Sequence, residues 1–191
     1  PSPAETSMQA PHENARRIVL KLGTGILRAT SGSVDAGHVR AIAAEVARLR
    51  EQGFEVLIVS SGAVGLGMAR LGIRKRPPKL PSLQACAAVG QSILMETWQQ
   101  SLGEHGLTVG QVLLTHEDVR HRQRHVAALN TLEKLLSYGA IPIVNENDTV
   151  SADEIRFGDN DTLSALVASL VKADLLFILS TIPGLLDADG R

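Results

Sequence analysis

Five short apolar runs, rich in β-branched residues, alternate along the chain with longer stretches of helical periodicity. The runs are Arg17–Lys21, Val56–Val59, Val109–Leu114, Ile141–Val144 and Leu175–Leu179. Each run is almost continuously apolar instead of alternating with polar residues. The pattern therefore predicts strands of a parallel sheet that is buried on both faces.

The stretches between the runs place apolar residues three or four positions apart, which is the spacing of one face of a helix. Three sets show it, namely Val39–Leu49, Val126–Leu136 and Leu163–Leu170. We expect the first of these helices to end near Gly53, because glycine commonly terminates helices. Strands that alternate with helices predict right-handed crossovers and an α/β fold, a three-layer αβα sandwich around a mainly parallel sheet.

The segments at the carboxyl ends of the predicted strands are small and polar. They are Lys21–Gly25, Ser60–Gly67, Asn145–Asp148 and Ser180-Thr181. Open parallel sheets bind ligands beyond the carboxyl ends of their strands. Glycines let backbone N–H groups approach an anion closely, and helix N-termini add a positive dipole. The sequence therefore predicts an anion-binding rim at this edge of the sheet.

Two features of this rim are candidates for chemistry. Lys21 closes an apolar strand and precedes Gly23–Gly25, so its ammonium group is a candidate phosphate ligand; the alternative is a strand-end lysine that only reaches solvent. Gly158–Asp161 opens a predicted helix, where plain N-capping is the alternative. The second polar cluster, Asn145–Asp148, favours a functional role for both clusters.

Composition and charge narrow the classes of protein that remain. The chain has 191 residues, is 44% hydrophobic and carries a net charge of −1, so we expect a globular domain with no nucleic-acid partner. No apolar run is long enough to span a bilayer, and we expect no membrane partner. The single cysteine, Cys86, suits a cytoplasmic protein and excludes a disulfide framework. Residues 1–14 are polar and predict a flexible N-terminal arm.

Two familiar nucleotide motifs are incomplete. Gly62–Gly67 has the glycine spacing of a P-loop, but Met68-Ala69 stands where that loop needs lysine and a hydroxyl residue. Gly65 and Gly67 begin a dinucleotide fingerprint whose third glycine is replaced by Arg70. The sequence therefore disfavours a Walker-type ATPase and a Rossmann dehydrogenase. His121 and His125 lack between them the glutamate of a zinc-binding helix, so no residue is predicted to be a metal ligand.

Six segments together resemble the amino-acid kinase family, and within it the branch that phosphorylates glutamate. In chain order they are Val19–Thr24, Val59–Ala63, Ala87–Gln91, Gly110–Thr115, Ile143–Asp148 and Phe157–Asp161. The resemblance covers about Arg17–Arg191 and assigns residues 15–191 to a kinase domain. Its most specific part is the Asn-Glu-Asn-Asp and Gly-Asp-Asn-Asp pair of loops, which belongs to the glutamate branch.

The resemblance implies ATP-dependent phosphorylation of the γ-carboxylate of L-glutamate to L-glutamyl 5-phosphate, the first step of proline biosynthesis, with Mg²⁺. It further implies L-proline as a feedback inhibitor acting near Ser151–Phe157, and a homodimer or homotetramer. Leu83–Leu102, small on one side and apolar on another, is the candidate interface.

The resemblance also implies roles for individual residues. Lys21 and Asp161 correspond to catalytic positions, Lys21 contacting the phosphates and Asp161 orienting it. The positions that correspond to glutamate binding are Ser61, Asn145, Asp148 and Asn160. The candidate nucleotide-binding positions are Lys21, Gly23, Thr24, Ser180 and Thr181.

The chain departs from the family pattern in two places. Ser180-Thr181 replaces the Thr-Asp pair that contacts the nucleotide in many members. The family domain also continues beyond the position of Arg191 to a second phosphate-binding lysine. We therefore expect either a chain truncated at its C-terminus or a shortened homologue, with the glutamate-binding half, only the start of the nucleotide-binding half, and little kinase activity alone. The alternatives are a catalytically silent amino-acid-binding or regulatory homologue, or another family kinase such as N-acetylglutamate kinase or aspartokinase.

Overall fold

The structure is a computed structural model that describes residues 15–27, 35–151 and 159–180, without the side chain of Asp159. The predicted arm (residues 1–14), Thr181 and nearly all of Ser151–Phe157 lie outside the described residues. The strands and helices are, in chain order, β1 (Arg17–Leu22), α1 (Thr24–Leu27), α2 (Ala36–Glu51), β2 (Glu55–Ser60), α3 (Ala63–Arg70), α4 (Leu80–Gly103), β3 (Val109–Leu114), α5 (His116–Arg120), α6 (Arg122–Ser137), β4 (Ile141–Glu146), α7 (Asp159–Leu170) and β5 (Leu175–Leu179).

The described strands form one five-stranded sheet in the order β3-β4-β2-β1-β5. Every neighbouring pair is parallel, so all five carboxyl ends lie at one edge. The sequence-based prediction of five parallel strands is confirmed, with strand ends shifted by at most two residues. The predicted burial on both faces is confirmed for β1, β2 and β4 but is wrong for the edge strands of the described sheet, since β3 is partly buried and Phe177 and Ile178 of β5 are 47% and 49% exposed. None of the helices in the described ranges is long and apolar enough to cross a membrane.

Alternation along each strand sends side chains to two separate cores. Ile18, Leu20 and Leu22 of β1 pack with residues of α2 and α4 on one face of the sheet. Val19 of β1 packs with residues of α6 and α7 on the other face. The fold is therefore the predicted three-layer αβα sandwich. Because the side-chain period of a strand is two, Lys21 shares the face of Val19 and looks toward α7.

Glycines allow α3 and α4 to cross at backbone contact. A Cβ atom at Gly67 would lie 1.7 Å from the Cys86 carbonyl oxygen, and one at Gly90 would lie 1.7 Å from the Ala63 carbonyl oxygen. Only glycine fits at either position. Gly67, which completes the P-loop-like spacing, therefore serves helix packing, and the crossing fixes α4 against the loop that follows β2.

The predicted core face of α6 is wrong at one residue. Leu132 and Leu136 are buried against the sheet, but Val126 is 46% exposed. Steps of three residues fall short of a full helical turn, so two of them carry Val126 about 120° around the helix from Leu132. The buried face is continued by Ala128 instead.

Candidate active site

The Lys21 side chain ends beside the first turn of α7. Its Nζ contacts Oδ1 of Asp161, and the two side chains are 7% and 51% exposed. A buried ammonium group needs a partner that compensates for lost hydration, and the Asp161 carboxylate supplies it. The structure thus brings together the two residues predicted to be catalytic, with a buried cation facing a half-exposed carboxylate.

The predicted nucleotide-binding residues lie at the neighbouring ends of β1 and β5. The Gly23 backbone comes close to the lysine, since a Cβ atom at Gly23 would lie 3.6 Å from Lys21 Nζ. Gly23 N–H donates a hydrogen bond to the Leu179 carbonyl oxygen at 3.2 Å, which ties the two strand ends together. Thr24 begins α1, and Ser180 directly follows β5. Thr181 is not among the described residues.

Three of the predicted glutamate-binding residues meet in one hydrogen-bonded cluster. Asn160 Nδ2 lies 2.8 Å from Ser61 Oγ and 2.8 Å from Asn145 Oδ1. It also lies 3.3 Å from the Ser60 carbonyl oxygen. Asn145 and Asn160 are 3% and 7% exposed, so the cluster is shielded from water. Buried amides of this kind need near-complete hydrogen bonding, which makes their positions precise.

The fourth, Asp148, is half-buried in the turn that follows β4. This turn is anchored on two sides. Asn147 N–H donates to the Leu114 carbonyl oxygen at 2.9 Å, and Gln84 Nε2 on α4 donates to the Ser151 carbonyl oxygen at 3.1 Å. The anchors hold the turn that carries Asp148 at the carboxyl edge of the sheet, three residues along the chain from Asn145.

Sequence reasoning missed two side chains that support the cluster from α4. Gln91 Oε1 accepts a hydrogen bond from Asn145 Nδ2 at 2.8 Å. Trp98 Nε1 donates to Ser60 Oγ at 3.0 Å. A usable signal existed for Gln91, because it is a polar residue within a helix face that otherwise buries Ala87, Gly90 and Leu94.

A histidine–carboxylate pair borders the site at the ends of β3 and β4. His116 Nδ1 lies 3.3 Å from Glu146 Oε2, and the Glu146 side chain is nearly buried. Throughout the described ranges, His, Cys, Asp and Glu side chains form no group of three that could hold a metal ion.

Comparison with known proteins places this arrangement in a family. The model of the amino acid kinase family matches residues 16–191. A glutamate 5-kinase of Nitrosococcus oceani is 52% identical over 176 residues, which cover 92% of this chain and 47% of that protein. One of Meiothermus ruber is 54% identical over 176 residues, 92% of this chain and 46% of that protein. The chain thus spans about half the length of the curated relatives it matches.

The fold comparison agrees with the predicted class. A structure of carbamate kinase from Giardia superposes with a TM-score of 0.61 at 14% identity, over 93% of this chain and 78% of that one. At this level of identity the likeness concerns the fold alone.

Proposed function

The chain belongs to the amino acid kinase family, and from this premise we propose that it serves ATP-dependent phosphorylation of the L-glutamate γ-carboxylate. The product would be L-glutamyl 5-phosphate, the first intermediate on the way to proline. One observation carries the proposal: the Lys21–Asp161 contact and the Ser61–Asn145–Asn160 cluster adjoin through consecutive residues of α7. A cationic site for phosphate and an amide-rich site for an amino acid therefore lie side by side.

The chemistry of the proposed reaction fits these residues. A γ-carboxylate is ionised at neutral pH, so it needs no general base to act as a nucleophile. The barrier lies in bringing two anions together and in the charge that spreads over the transferring phosphoryl oxygens. Lys21 would stabilise that charge, and Asp161 would hold the ammonium group in position. The amide cluster would hold the acceptor in line.

Glutamate offers three charged groups for recognition. We assign its α-ammonium group to the Asp148 carboxylate and its α-carboxylate to N–H groups at a helix N-terminus, such as that of α3, which begins two residues after Ser61. Ser61, Asn145 and Asn160 would contact the polar atoms that these partners leave unpaired, including the N–H groups of the ammonium that Asp148 does not bind. This division leaves the γ-carboxylate free to face Lys21.

Mg²⁺ fits the same place on the basis of donor chemistry. Mg²⁺ is usually bound by one or two carboxylates together with waters and substrate phosphates. The half-exposed Asp161 carboxylate would be such a ligand. When bound, the ion supplies further neutralisation of phosphate charge. Lys21 and the Gly23 backbone would be the protein's own contribution beside it.

Further properties follow from the same proposal. We expect a cytoplasmic homodimer or homotetramer that L-proline inhibits. The proposed contact surface is Leu83–Leu102 on α4. Ser180-Thr181, which lacks the usual carboxylate, favours weaker nucleotide contact and keeps a regulatory amino-acid-binding module as the second candidate.

Calorimetric titration of the chain tests the proposal. L-Glutamate is expected to bind in preference to N-acetyl-L-glutamate and L-aspartate, and a non-hydrolysable ATP analogue with Mg²⁺ is expected to bind as well. Binding of amino acid without any nucleotide would favour the regulatory module. Preference for N-acetyl-L-glutamate or L-aspartate would assign the chain to another kinase of the family. Absence of both L-glutamate and nucleotide binding would overturn the proposal.

A further inference from the structure

Gln91 binds the nitrogen of the Asn145 side-chain amide, and Asn160 binds the oxygen of the same amide. Gln91 Oε1 accepts a hydrogen bond from Asn145 Nδ2 at 2.8 Å, and Asn145 Oδ1 accepts one from Asn160 Nδ2 at 2.8 Å. Three side-chain amides from α4, β4 and α7 thus form a continuous row. The row crosses from one helical layer of the sandwich to the other at the carboxyl edge of the sheet.

A backbone group fixes the direction of every hydrogen bond in this row. Glu146 N–H donates to Asn145 Oδ1 at 2.9 Å. A backbone N–H can only donate, so it determines which end of the Asn145 amide carries the oxygen. Asn160 must then present its Nδ2 and Gln91 its Oε1. Reversing any of the amides would set two donors or two acceptors against each other.

The fixed direction leaves one polar atom unused at each end of the row. Among the described residues, neither Asn160 Oδ1 nor Gln91 Nε2 has a hydrogen-bond partner, although both are buried. Buried polar atoms of native proteins are rarely left unsatisfied without a reason. Asn160 Oδ1 is an acceptor at a position predicted to bind an amino acid, whose ammonium group carries three donors.

The backbone keeps Gln91 in register with this cluster. Gly90 packs against the first turn of α3 so closely that a Cβ atom would lie 1.7 Å from the Ala63 carbonyl oxygen. Because α3 directly follows Ser60–Gly62, the contact holds Gln91 beside the loop that presents Ser61 to Asn160. Gln91 cannot move away without separating the two helices.

We propose that Gln91 is a positioning residue of the amino-acid site, an inference that rests on the proposed function. Its Oε1 holds the Asn145 amide, and the amide row keeps Asn160 Oδ1 turned out as an acceptor for the ammonium group of the bound amino acid. Gln91 thereby favours substrates with an α-amino group over simple dicarboxylates, without touching the substrate itself.

The test compares L-glutamate with glutarate, which has the same two carboxylates and no amino group. Titration of the full chain is expected to show tighter binding of L-glutamate. Gln91→Met removes the acceptor for Asn145 Nδ2, so the ratio of the two affinities should fall about tenfold, mainly through weaker L-glutamate binding. Gln123→Met, at an exposed position of α6, is the matched control and should leave both affinities unchanged.

Each outcome bears on the inference. Equal weakening of both ligands by Gln91→Met would indicate general distortion and overturn it, as would unchanged affinities. If Gln91→Met does not fold, Gln91→Glu replaces it, because this variant keeps an oxygen for Asn145 Nδ2. Gln91→Glu should retain the preference for L-glutamate over glutarate. Loss of that preference in Gln91→Glu would also overturn the inference. Failure of the unmodified chain to bind L-glutamate would instead count against the proposed function.

Discussion

Asn160 and Asp161 are consecutive residues in the first turn of α7, yet their side chains bind partners from different strands. Asn160 contacts Ser61 and Asn145, whereas Asp161 contacts Lys21 of β1. One helical turn therefore joins the proposed acceptor site to the proposed phosphate site. Any shift of α7 would change the distances from Asn160 and Asp161 to their partners at the same time, so the position of this turn determines the geometry of both sites.

The two members of the Lys21–Asp161 pair should respond differently to substitution. Lys21→Met places an apolar chain of similar length in a buried position, so folding should persist while affinity for a nucleotide analogue falls at least tenfold. Asp161→Ala leaves the buried ammonium group unpaired and should lower the free energy of unfolding. The loss should be only about 1–3 kcal/mol, because water screens the half-exposed carboxylate. Thermal unfolding and calorimetry measure both effects. A lower stability for Lys21→Met than for Asp161→Ala would contradict this account of the pair.

Asp148 should act on the amino acid and not on the nucleotide. If its carboxylate binds the ammonium group of glutamate, Asp148→Ala and Asp148→Asn should both weaken L-glutamate binding, by about 10- to 100-fold for a hydrogen bond to a charged group. Nucleotide affinity should change by less than about threefold. Glu51→Gln, at the exposed end of α2, removes the same charge far from the turn and serves as the control. Equal losses for both ligands would contradict the assignment.

The fold could be predicted from the sequence because it depends on strong local patterns, whereas the roles of the candidate site residues came from the family resemblance and stay predictions. Continuous apolar runs predicted the strands of a parallel sheet, and parallel pairing then placed their polar ends at one edge. Lys21 reaches Asp161 because side chains alternate between the two faces along β1. Val19 and Lys21 therefore both face the layer that contains α7.

What the sequence did not reveal depends on contacts between distant elements. Gln91 reaches Asn145 across 54 positions of chain, and no local pattern specifies that encounter. Gly67 resembled part of a nucleotide motif, but Gly67 and Gly90 serve the close crossing of two helices, which appears only once the helices are packed. The exposure of Val126 has a different cause, because two three-residue steps place it about 120° around α6 from Leu132.

Thr115 and Asp118 form the N-terminal capping box of α5, and this box predicts a loss of stability in acid. Burial raises the pKa of Asp118, but hydrogen bonds from the Thr115 N–H and hydroxyl groups and from Arg124 outweigh it, so the pKa lies below its usual value. A lowered folded-state pKa contributes stability that is present above the unfolded-state pKa, about 4. That contribution is lost as pH falls through the folded-state value. Asp118→Asn should therefore be less stable than the unmodified chain at pH 7, with the difference shrinking below about pH 4. A difference that does not change between pH 7 and pH 3 would refute the cap's role.

Glycine at position 90 should be indispensable for folding, and the same helix supplies the control. A Cβ atom at Gly90 would collide with the Ala63 backbone, which no side-chain rotation can relieve, whereas one at Gly103 meets nothing within 4 Å. Gly90→Ala should therefore destabilise the protein by about 3 kcal/mol or more. Gly103→Ala, at the last residue of α4, should be neutral or stabilising by less than about 1 kcal/mol, because alanine favours helix. Chemical denaturation followed by circular dichroism measures both variants.

Because Gly90 also holds Gln91 beside the amide row, any folded Gly90→Ala protein should show a reduced preference for L-glutamate over glutarate. A Gly90→Ala protein as stable as Gly103→Ala would show that the two helices do not cross at backbone contact.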